Sequence, residues 1–458
     1  MLPIGSLADT TAELASTFRG QLLHPTDAGY EDARKVHNGL VDKRPALIAR
    51  CRGAADVVAA LDMTRALGLE AAVRGGGHNV AGRATIDGGV VIDLSLMKGI
   101  RVDPQRRTVW AQGGVTWGEL NRETQLHGLA VTGGVVSSTG IAGLTLGGGI
   151  GWLMGKYGLA LDNLLAVELV TADGKVLQAS REQEPELFWA LRGGGGNFGV
   201  ATGFEYALHP VGPIITGGPI VHPIERARDL LEFFRDRTRA LPDEHTLFAS
   251  LTHAPDGSGT PVAAMVTCHC GPLEDAESAM RALKQFASPL LDAVGPMPYT
   301  QLNGMLDANY PKGALNYWKS NFLTELSDAA IDTMIDCFAR CPTPKGQLLL
   351  EHFHGALTRV DVSDTAFPHR REGYNFLVLG QWMQQADTGA CVAWVRDTYE
   401  KMRPFFAVGR YVNYLDDDEA DDPVAAAYGP NYRRLQQIKA RYDPANFFRM
   451  NQNIQPLP

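Results

Sequence analysis

The chain has 458 residues, 45% hydrophobic and 20% charged, a globular mixture long enough for two or three domains and unlike disorder or coiled coil. Lys and Arg number 42 against 51 Asp and Glu, a formal charge of −9, and without a basic stripe nucleic acid is excluded as the expected partner. No apolar run reaches the length of a membrane span, MLPIGSLADTTAELAS lacks the basic-then-apolar pattern of a secretory leader so the cytoplasm is expected, and six cysteines do not make a disulfide framework.

Residues 1–40 read as a short helical lead-in with a loop around His24–Gly29. Ala46–Cys51 is a short strand. Ala54–Leu67 is a helix with Val57, Val58, Leu61 and Leu67 apolar and Gly68 as its stop, and Glu70–Val73 is a second strand. This strand–helix–strand unit empties into Arg74-Gly75-Gly76-Gly77-His78-Asn79. Short strands follow at Val90–Leu94, Ile100–Val102 and Thr108–Ala111, then a helix over Val115–His127 with Thr116 as cap. Gly133–Gly151, GGVVSSTGIAGLTLGGGIG, is small, apolar and nearly uncharged. Leu164–Thr171 and Lys175–Ala179 flank the turn Ala172-Asp173-Gly174, a hairpin signal. Ser180–Leu191 predicts a helix opened by a capping box from Ser180 to Gln183. Arg192-Gly193-Gly194-Gly195-Gly196-Asn197-Phe198-Gly199 then opens a strand, Val200–Leu208, and Pro210 and Pro213 mark a boundary.

From about residue 215 glycine thins and longer elements alternate. Strands are predicted at Ile214–His222, Thr246–His253, Val262–Cys270, Tyr317–Leu323, Gln347–Leu357 and Tyr374–Trp382. Helices are predicted at Ile224–Ala240, Asp275–Phe286, Asp328–Cys341 and Thr388–Phe405. That pattern is α+β with one larger antiparallel sheet. The last stretch, Ala407–Pro458, is glycine-poor and aromatic.

Gly194, Gly196 and Gly199 formally satisfy G-x-G-x-x-G. A helix precedes them and a strand follows, the reverse of the dinucleotide fingerprint, and no P-loop pattern occurs. What remains is phosphate held by glycine-turn amides, which form anion-binding nests. RGGGHN, TLGGGIG and RGGGGNFG could each supply one wall of such a site. By residue type alone, His78 at the end of the first turn reads as a hydrogen-bonding turn residue.

RGGGHNVAG, GGVVIDLSLMKGIRVD, GGVVSSTGIAGLTLGGGIG and LRGGGGNFGVAT, in this order, resemble the vanillyl-alcohol-oxidase superfamily of FAD-linked oxidases with its PCMH-type FAD-binding fold. YVNY followed by RYDPANFFRMNQNI is similar to the berberine-bridge-enzyme-like branch. The resemblance is dense over about 41–212, scattered over 350–458 and weak over 215–345. It implies an α+β, two-domain fold: an FAD domain over 1–212 with its core at 41–212, an antiparallel-sheet substrate domain over 213–407, and a C-terminal segment, 408–458, that completes the FAD domain.

The resemblance also implies a site. The family's motif histidine, here His78, bonds covalently to a methyl carbon of the flavin's benzenoid ring, and Val136 stands where many relatives place a second, cysteine attachment, so a single bond is expected. FAD contacts carried over are Arg74, Gly75, Gly76, Gly77, His78, Asn79, Gly134, Val136, Ser137, Ser138, Thr139, Gly140, Gly143, Gly148, Gly149, Gly196, Asn197, Phe198, Gly199, Val200, Tyr411 and Asn413. Thr139 is small at the position where relatives control oxygen access. In similar enzymes the last tyrosine of YVNY is the base, which falls on Tyr414. A phenol serves only if its pKa is lowered, with Arg410 the candidate helper.

Strand alternation puts His352 and His354 of Glu351-His352-Phe353-His354 on one face and Glu351 and Phe353 on the other. One histidine is expected to line the substrate cavity, with Tyr317 and Gln381 also substrate-binding, and Tyr310, Trp318, Asn321 and Tyr374 adding polar-aromatic character. Leu377 replaces a glutamate base that some relatives carry before the position of Trp382. His-x-His, Cys268-His269-Cys270 and Asp416–Asp422 lack a metal-ligand pattern, so no metal is expected. The implied reaction is hydride transfer from a CH–OH or CH–NH carbon of a small alcohol, sugar or natural product to covalent FAD, with oxygen reoxidising it to give peroxide. A dehydrogenase with another acceptor, an oxidative cyclase and a flavin binder without turnover stay open as alternatives, as does the oligomeric state.

Overall fold

The computed structural model describes residues 7–254, 256–416, 418 and 423–457. Near the start, strands Gln21–Leu23 (β1), Leu47–Arg50 (β2), Ala71–Arg74 (β3) and Val90–Asp93 (β4) form a sheet in the order β1-β2-β4-β3, with β2 and β3 parallel to β4. The helix Ala54–Ala66 crosses over between β2 and β3. It buries Val57, Ala60, Leu61 and Thr64, the one-face spacing of a half-buried helix. Asp56 in its first turn accepts the backbone N–H groups of Arg19 and Arg52 at 2.9 Å each. β1 has no counterpart in the sequence reading: three residues, none of them fully buried, carry no period to read.

A second, antiparallel sheet holds Ile100–Asp103 (β5), Thr108–Gln112 (β6), Leu164–Val170 (β7), Val176–Ser180 (β8) and Val200–Ala207 (β9), in the order β5-β6-β9-β7-β8. The helix Trp117–Thr124 begins where the sequence places its cap, with a full capping box between Thr116 and Glu119. The Ser180 box is different. Ser180 Oγ accepts the N–H groups of Glu182 and Gln183, but it closes β8, and the helix starts only at Pro185. A serine bonding two and three residues ahead makes a turn as readily as a cap.

Residues from 214 build the second domain around an antiparallel sheet. Its long strands are Ile214–Pro223 (β10), His245–His253 (β11), Pro261–His269 (β12), Leu315–Leu323 (β13), Gln347–Phe353 (β14) and Gly373–Trp382 (β15), in the order β10-β12-β11-β14-β15-β13, and two short strands pair β10 at the outer edge. Helices Ala227–Thr238, Asp328–Phe338 and Thr388–Met402 pack on one face through Leu231, Phe234, Met334, Val395 and Tyr399. The other face, carrying Phe322, Leu349 and Phe353, turns to the first domain and meets Trp152, Met154 and Tyr411 in a shared core. The architecture is the α+β, two-domain one the sequence implied.

The C-terminal residues return to the first domain. Val412, Leu415, Tyr428, Leu435, Ile438 and Ile454 share a core with Trp117, Leu187 and Phe204. Lys439, fully buried, pairs with Asp443 at 2.7 Å and donates to the carbonyls of Asn197 and Phe448 at 2.7 and 3.0 Å. The ammonium thus has three acceptors around it, which is what lets a charge sit in a core. It ties the C-terminal run to the RGGGGNFG turn. Of the acidic stretch Asp416–Asp422, residues 417 and 419–422 lie outside the described residues. Asp418 is drawn onto the second domain by Tyr317 and Lys319 of β13 and by Arg396 of the helix Thr388–Met402.

Candidate active site

A long cleft runs between the two domains. Its floor and one wall are glycine turns: Gly75, Gly76, Gly77, His78 and Asn79 from the loop after β3, then Gly134, Val136, Thr139, Gly140 and Gly143, then Gly196, Asn197 and Gly199. Tyr310, Trp318, Leu349, Glu351, Leu377 and Leu379 come from the second domain, and Asn413 and Tyr414 from the C-terminal run. The turns approach one another backbone to backbone. A Cβ on Gly76 would stand 2.3 Å from the Gly140 nitrogen, and one on Gly196 2.8 Å from Asn451 Oδ1. At Gly76 glycine is required, because the opposing atoms are backbone and cannot give way, whereas at Gly196 the opposing atom is a side-chain amide.

The sequence-stated contacts divide accordingly. Arg74 lies beneath the first turn, paired with Asp93 of the neighbouring β4 at 2.8 Å with both side chains buried. Ser137 is turned toward the second domain, its N–H donating to Asp307 Oδ1 at 2.8 Å. Phe198 and Val200 are core residues. Gly148 and Gly149 also lie off the cleft wall. A Cβ on Gly148 would come within 2.8 Å of the Tyr411 ring, and Gly149 donates its N–H to the Tyr411 hydroxyl at 3.0 Å. Gly148 admits the YVNY loop, the bare Cα of Gly149 makes room for Ala160, and Tyr411 is buried behind the cleft. Asn413 reaches the cleft edge, donating to the Leu144 carbonyl at 3.0 Å and to the Tyr411 hydroxyl at 2.9 Å.

His78 is held on three sides. Ser138 Oγ lies 3.0 Å from Nε2 and Thr139 Oγ1 3.3 Å from Nδ1. The His37 ring stacks on it at 3.9 Å between centroids. Burial, with His37 and Lys312 adding to it, pushes the imidazole pKa down to about 3. The ring is therefore neutral at physiological pH, with one nitrogen donating to its hydroxyl neighbour and the other keeping a lone pair that accepts from the second hydroxyl and is competent as a nucleophile or ligand. His37, far upstream and without a motif, was not legible as its partner.

At the opposite wall, Glu351 is 1% exposed. Its Oε2 accepts from Asn375 Nδ2 at 2.7 Å, and its Oε1 faces the Tyr414 hydroxyl at 3.4 Å. Burial in the apolar wall pushes the carboxyl up to about 7, while Asn375 and Tyr414 pull the other way. Tyr414 is driven well above the usual tyrosine range, first by its own burial and then by the Glu351 charge. Arg410, the expected helper, lays its guanidinium over the Tyr399 ring instead. A phenol in this setting keeps its proton, so the basic group of the cleft is Glu351 rather than Tyr414.

Strand alternation separates the two faces of Glu351-His352-Phe353-His354, and the cavity lies on the glutamate side, not on the histidine side expected from the sequence. Leu349, Glu351 and Phe353 face the first domain. His352 and His354 lie on the other side, stacked on each other at 4.7 Å, with His352 Nε2 3.9 Å from Glu372. Tyr317 sits on the helix face of β13, its hydroxyl donating to Asp418 at 2.6 Å. Tyr374 also faces the helices, against the Thr238 hydroxyl. Gln381 donates to Asn316 Oδ1 at 3.2 Å beyond the end of the cleft. None of these lines the cleft, whereas Trp318 and Tyr310 do.

The cleft fits an extended, phosphate-bearing cofactor: glycine-turn backbone along one length, a neutral histidine on the wall, and one buried carboxyl facing it from the other domain. A family model described as FAD binding domain matches residues 45–180, and one described as berberine and berberine like matches 410–455. An FAD-linked oxidoreductase of Dictyostelium discoideum is 32% identical over 430 residues, covering 93% of this chain and 92% of that protein. (R)-6-hydroxynicotine oxidase of Paenarthrobacter nicotinovorans is 31% identical over 457 residues, covering 96% and 97%. The solved structure of 6-hydroxy-D-nicotine oxidase from Arthrobacter nicotinovorans superposes with a TM-score of 0.87 at 30% identity, covering 96% of this chain and 99% of that one. Because the likeness runs the length of the chain, through both walls of the cleft, the protein belongs to the berberine-bridge-enzyme-like family of FAD-linked oxidoreductases.

Proposed function

We propose that the protein oxidises a CH–OH or CH–NH carbon of a small, largely apolar substrate, with FAD tethered through His78 alone, Glu351 as proton acceptor and molecular oxygen as final electron acceptor. The observation that carries the reading is the Glu351 carboxyl, 1% exposed at the cleft wall among leucines and aromatic rings, with one oxygen held by Asn375 and the other turned toward Tyr414, a setting in which burial pushes it up to about 7. FAD supplies the hydride acceptor when bound.

Glu351, partly ionised at neutral pH, takes the proton from the substrate heteroatom as hydride leaves the adjacent carbon. Tyr414 donates its O–H to the carboxylate and holds Oε1 toward the cleft. Leu349, Leu377, Leu379 and Trp318 exclude water and receive the substrate's apolar body. That lining supports an alcohol or amine with a ring or alkyl body over a free sugar, and a relative named for hydroxynicotine is in keeping with this size. The neutral His78 nitrogen supports the covalent tether, and Val136 in place of a cysteine supports a single one. The small Thr139 side chain and the relatives named as oxidases support oxygen as acceptor, with hydrogen peroxide as co-product.

The test begins with acid denaturation of the purified protein. Yellow colour retained in the pellet, and released by His78→Ala, establishes the tether; colour in the supernatant overturns it. The rate at which air reoxidises the substrate-reduced protein then decides the acceptor, and slow reoxidation removes the oxidase assignment.

A further inference from the structure

We infer that Asn375 is a positioning residue for the oxidation: its side-chain amide anchors one oxygen of Glu351 to the protein, leaves the other for the substrate, and matches the carboxyl in both of its protonation states. The inference rests on Glu351 being the proton acceptor.

Glu351 and Asn375 stand directly opposite each other on β14 and β15. Cross-strand partners on one face bring their side chains together, and Asn375 shares its face with the cleft-lining Leu377 and Leu379. Asn375 is 0% exposed. Its Nδ2 donates to Glu351 Oε2 at 2.7 Å, whereas Glu351 Oε1 is left with the longer, 3.4 Å approach of the Tyr414 hydroxyl. The two carboxyl oxygens are therefore unequal, and Oε1 is the one free to take a proton.

The amide's own oxygen is the second observation. Asn375 Oδ1 is buried and has no hydrogen-bond partner. A buried acceptor left unpaired is costly, and burial in a sheet core excludes water as an easy remedy. A carboxyl that alternates between forms gives it a use. Ionised Glu351 needs a donor, which Nδ2 supplies. With the proton on Oε1, Oε2 stays a carbonyl that accepts from Nδ2; when the carboxyl turns and its O–H lies on the Oε2 side, half a turn of the amide about its last torsion presents Oδ1 as the acceptor in the same place with the same shape. The other titratable groups that face the carboxyl are the phenols of Tyr310, Tyr411 and Tyr414, all raised above the ordinary tyrosine value. They stay protonated through neutrality, so Asn375 is the group whose change is felt.

The experiment needs no substrate. The FAD-loaded protein is titrated from pH 5 to 9 while the protonated-carboxyl C=O stretch is followed by infrared difference spectroscopy, in wild type, Glu351→Gln, Asn375→Leu and the near-isosteric Asn375→Asp. The expected result is a band that titrates near pH 7 in wild type and is missing in Glu351→Gln. Its midpoint rises by about one unit or more in Asn375→Leu, which removes the donor, and rises in Asn375→Asp, where two facing carboxyls share a proton. If Asn375→Leu does not fold, Asn375→Asp decides. A midpoint unmoved in the Asn375 variants, with the band still lost in Glu351→Gln, overturns the role of Asn375 alone. A band that persists in Glu351→Gln overturns the choice of Glu351 itself. A merely structural role for Asn375 would lower the melting temperature and leave the midpoint in place.

Discussion

Oε1 of Glu351 lies 3.4 Å from the Tyr414 hydroxyl, a carboxyl from the second domain meeting a phenol from the C-terminal run at the cleft wall. Because burial holds the carboxyl near neutrality and the phenol far above it, the pair has one base and one donor. Flavin reduction by a substrate should therefore accelerate as pH rises through about 7, where Glu351 ionises, and then level off. Glu351→Gln should slow it by roughly 10²- to 10⁴-fold. Tyr414→Phe should slow it less and move the rise to higher pH, since the lost O–H had favoured the carboxylate. Stopped-flow absorbance of the flavin reads all three, and a Tyr414→Phe profile displaced to lower pH would contradict the assignment.

The same carboxyl should make stability depend on pH in an unusual direction. Its midpoint is 4.5 in a model compound and about 7 in the fold. Between those values the folded chain keeps a proton that the unfolded chain has released, so stability falls as pH rises through this window. The full effect is roughly 3 kcal/mol as an upper limit. Glu351→Gln removes it. Denaturant midpoints at pH 5 and pH 8 should show the variant gaining on wild type toward pH 8; parallel behaviour at the two pH values would mean that Glu351 is not protonated in the fold.

Much of the first domain was legible because its signals are local. The cap at Thr116, the helix after Gly53 and the glycine turns each specify their own conformation, and the turns stand where they are because only glycine admits backbone contacts as close as Gly76 to Gly140. The cleft's second wall was less legible. A period of two separates Glu351 from His352 but does not say which face meets the other domain, and histidine's chemistry made the wrong face attractive. Gly148 makes room for the Tyr411 ring and Gly149 for Ala160, a use that sequence composition cannot tell from ligand binding because both demand a missing side chain. His37 reached His78 only through tertiary packing.

Those glycines separate two effects of adding a methyl group. A Cβ on Gly76 would collide with backbone, which cannot swing aside. Gly76→Ala should cost about 1–3 kcal/mol of stability and lower the yield of flavin-loaded protein. Gly143 lies on the helix Ile141–Gly147, and a Cβ there would meet no protein atom within 4 Å. Gly143→Ala should hold or raise the melting temperature of the flavin-free protein, as alanine favours a helix, yet still weaken FAD retention because Gly143 lines the cleft. Thermal melts and bound-flavin absorbance, read together, test the distinction, and a Gly143→Ala protein with full flavin content would show that the cofactor does not use this part of the wall.

Arg370 and Asp162 join the domains by a two-pronged pair, both contacts at 2.8 Å, with side chains 2% and 10% exposed. Asp162 also accepts the Leu159 N–H, and Arg370 donates to Thr365. Removing one partner leaves a carboxylate or guanidinium stranded in the interface. Arg370→Met should therefore destabilise the protein by about 3–5 kcal/mol. The double variant Asp162→Leu with Arg370→Met strands no charge and should recover much of that loss. Chemical denaturation of the two singles and the double closes the cycle. A double variant as unstable as the summed singles would mean that the pair acts through its separate contacts to Leu159 and Thr365, and that the charges themselves do not hold the domains together.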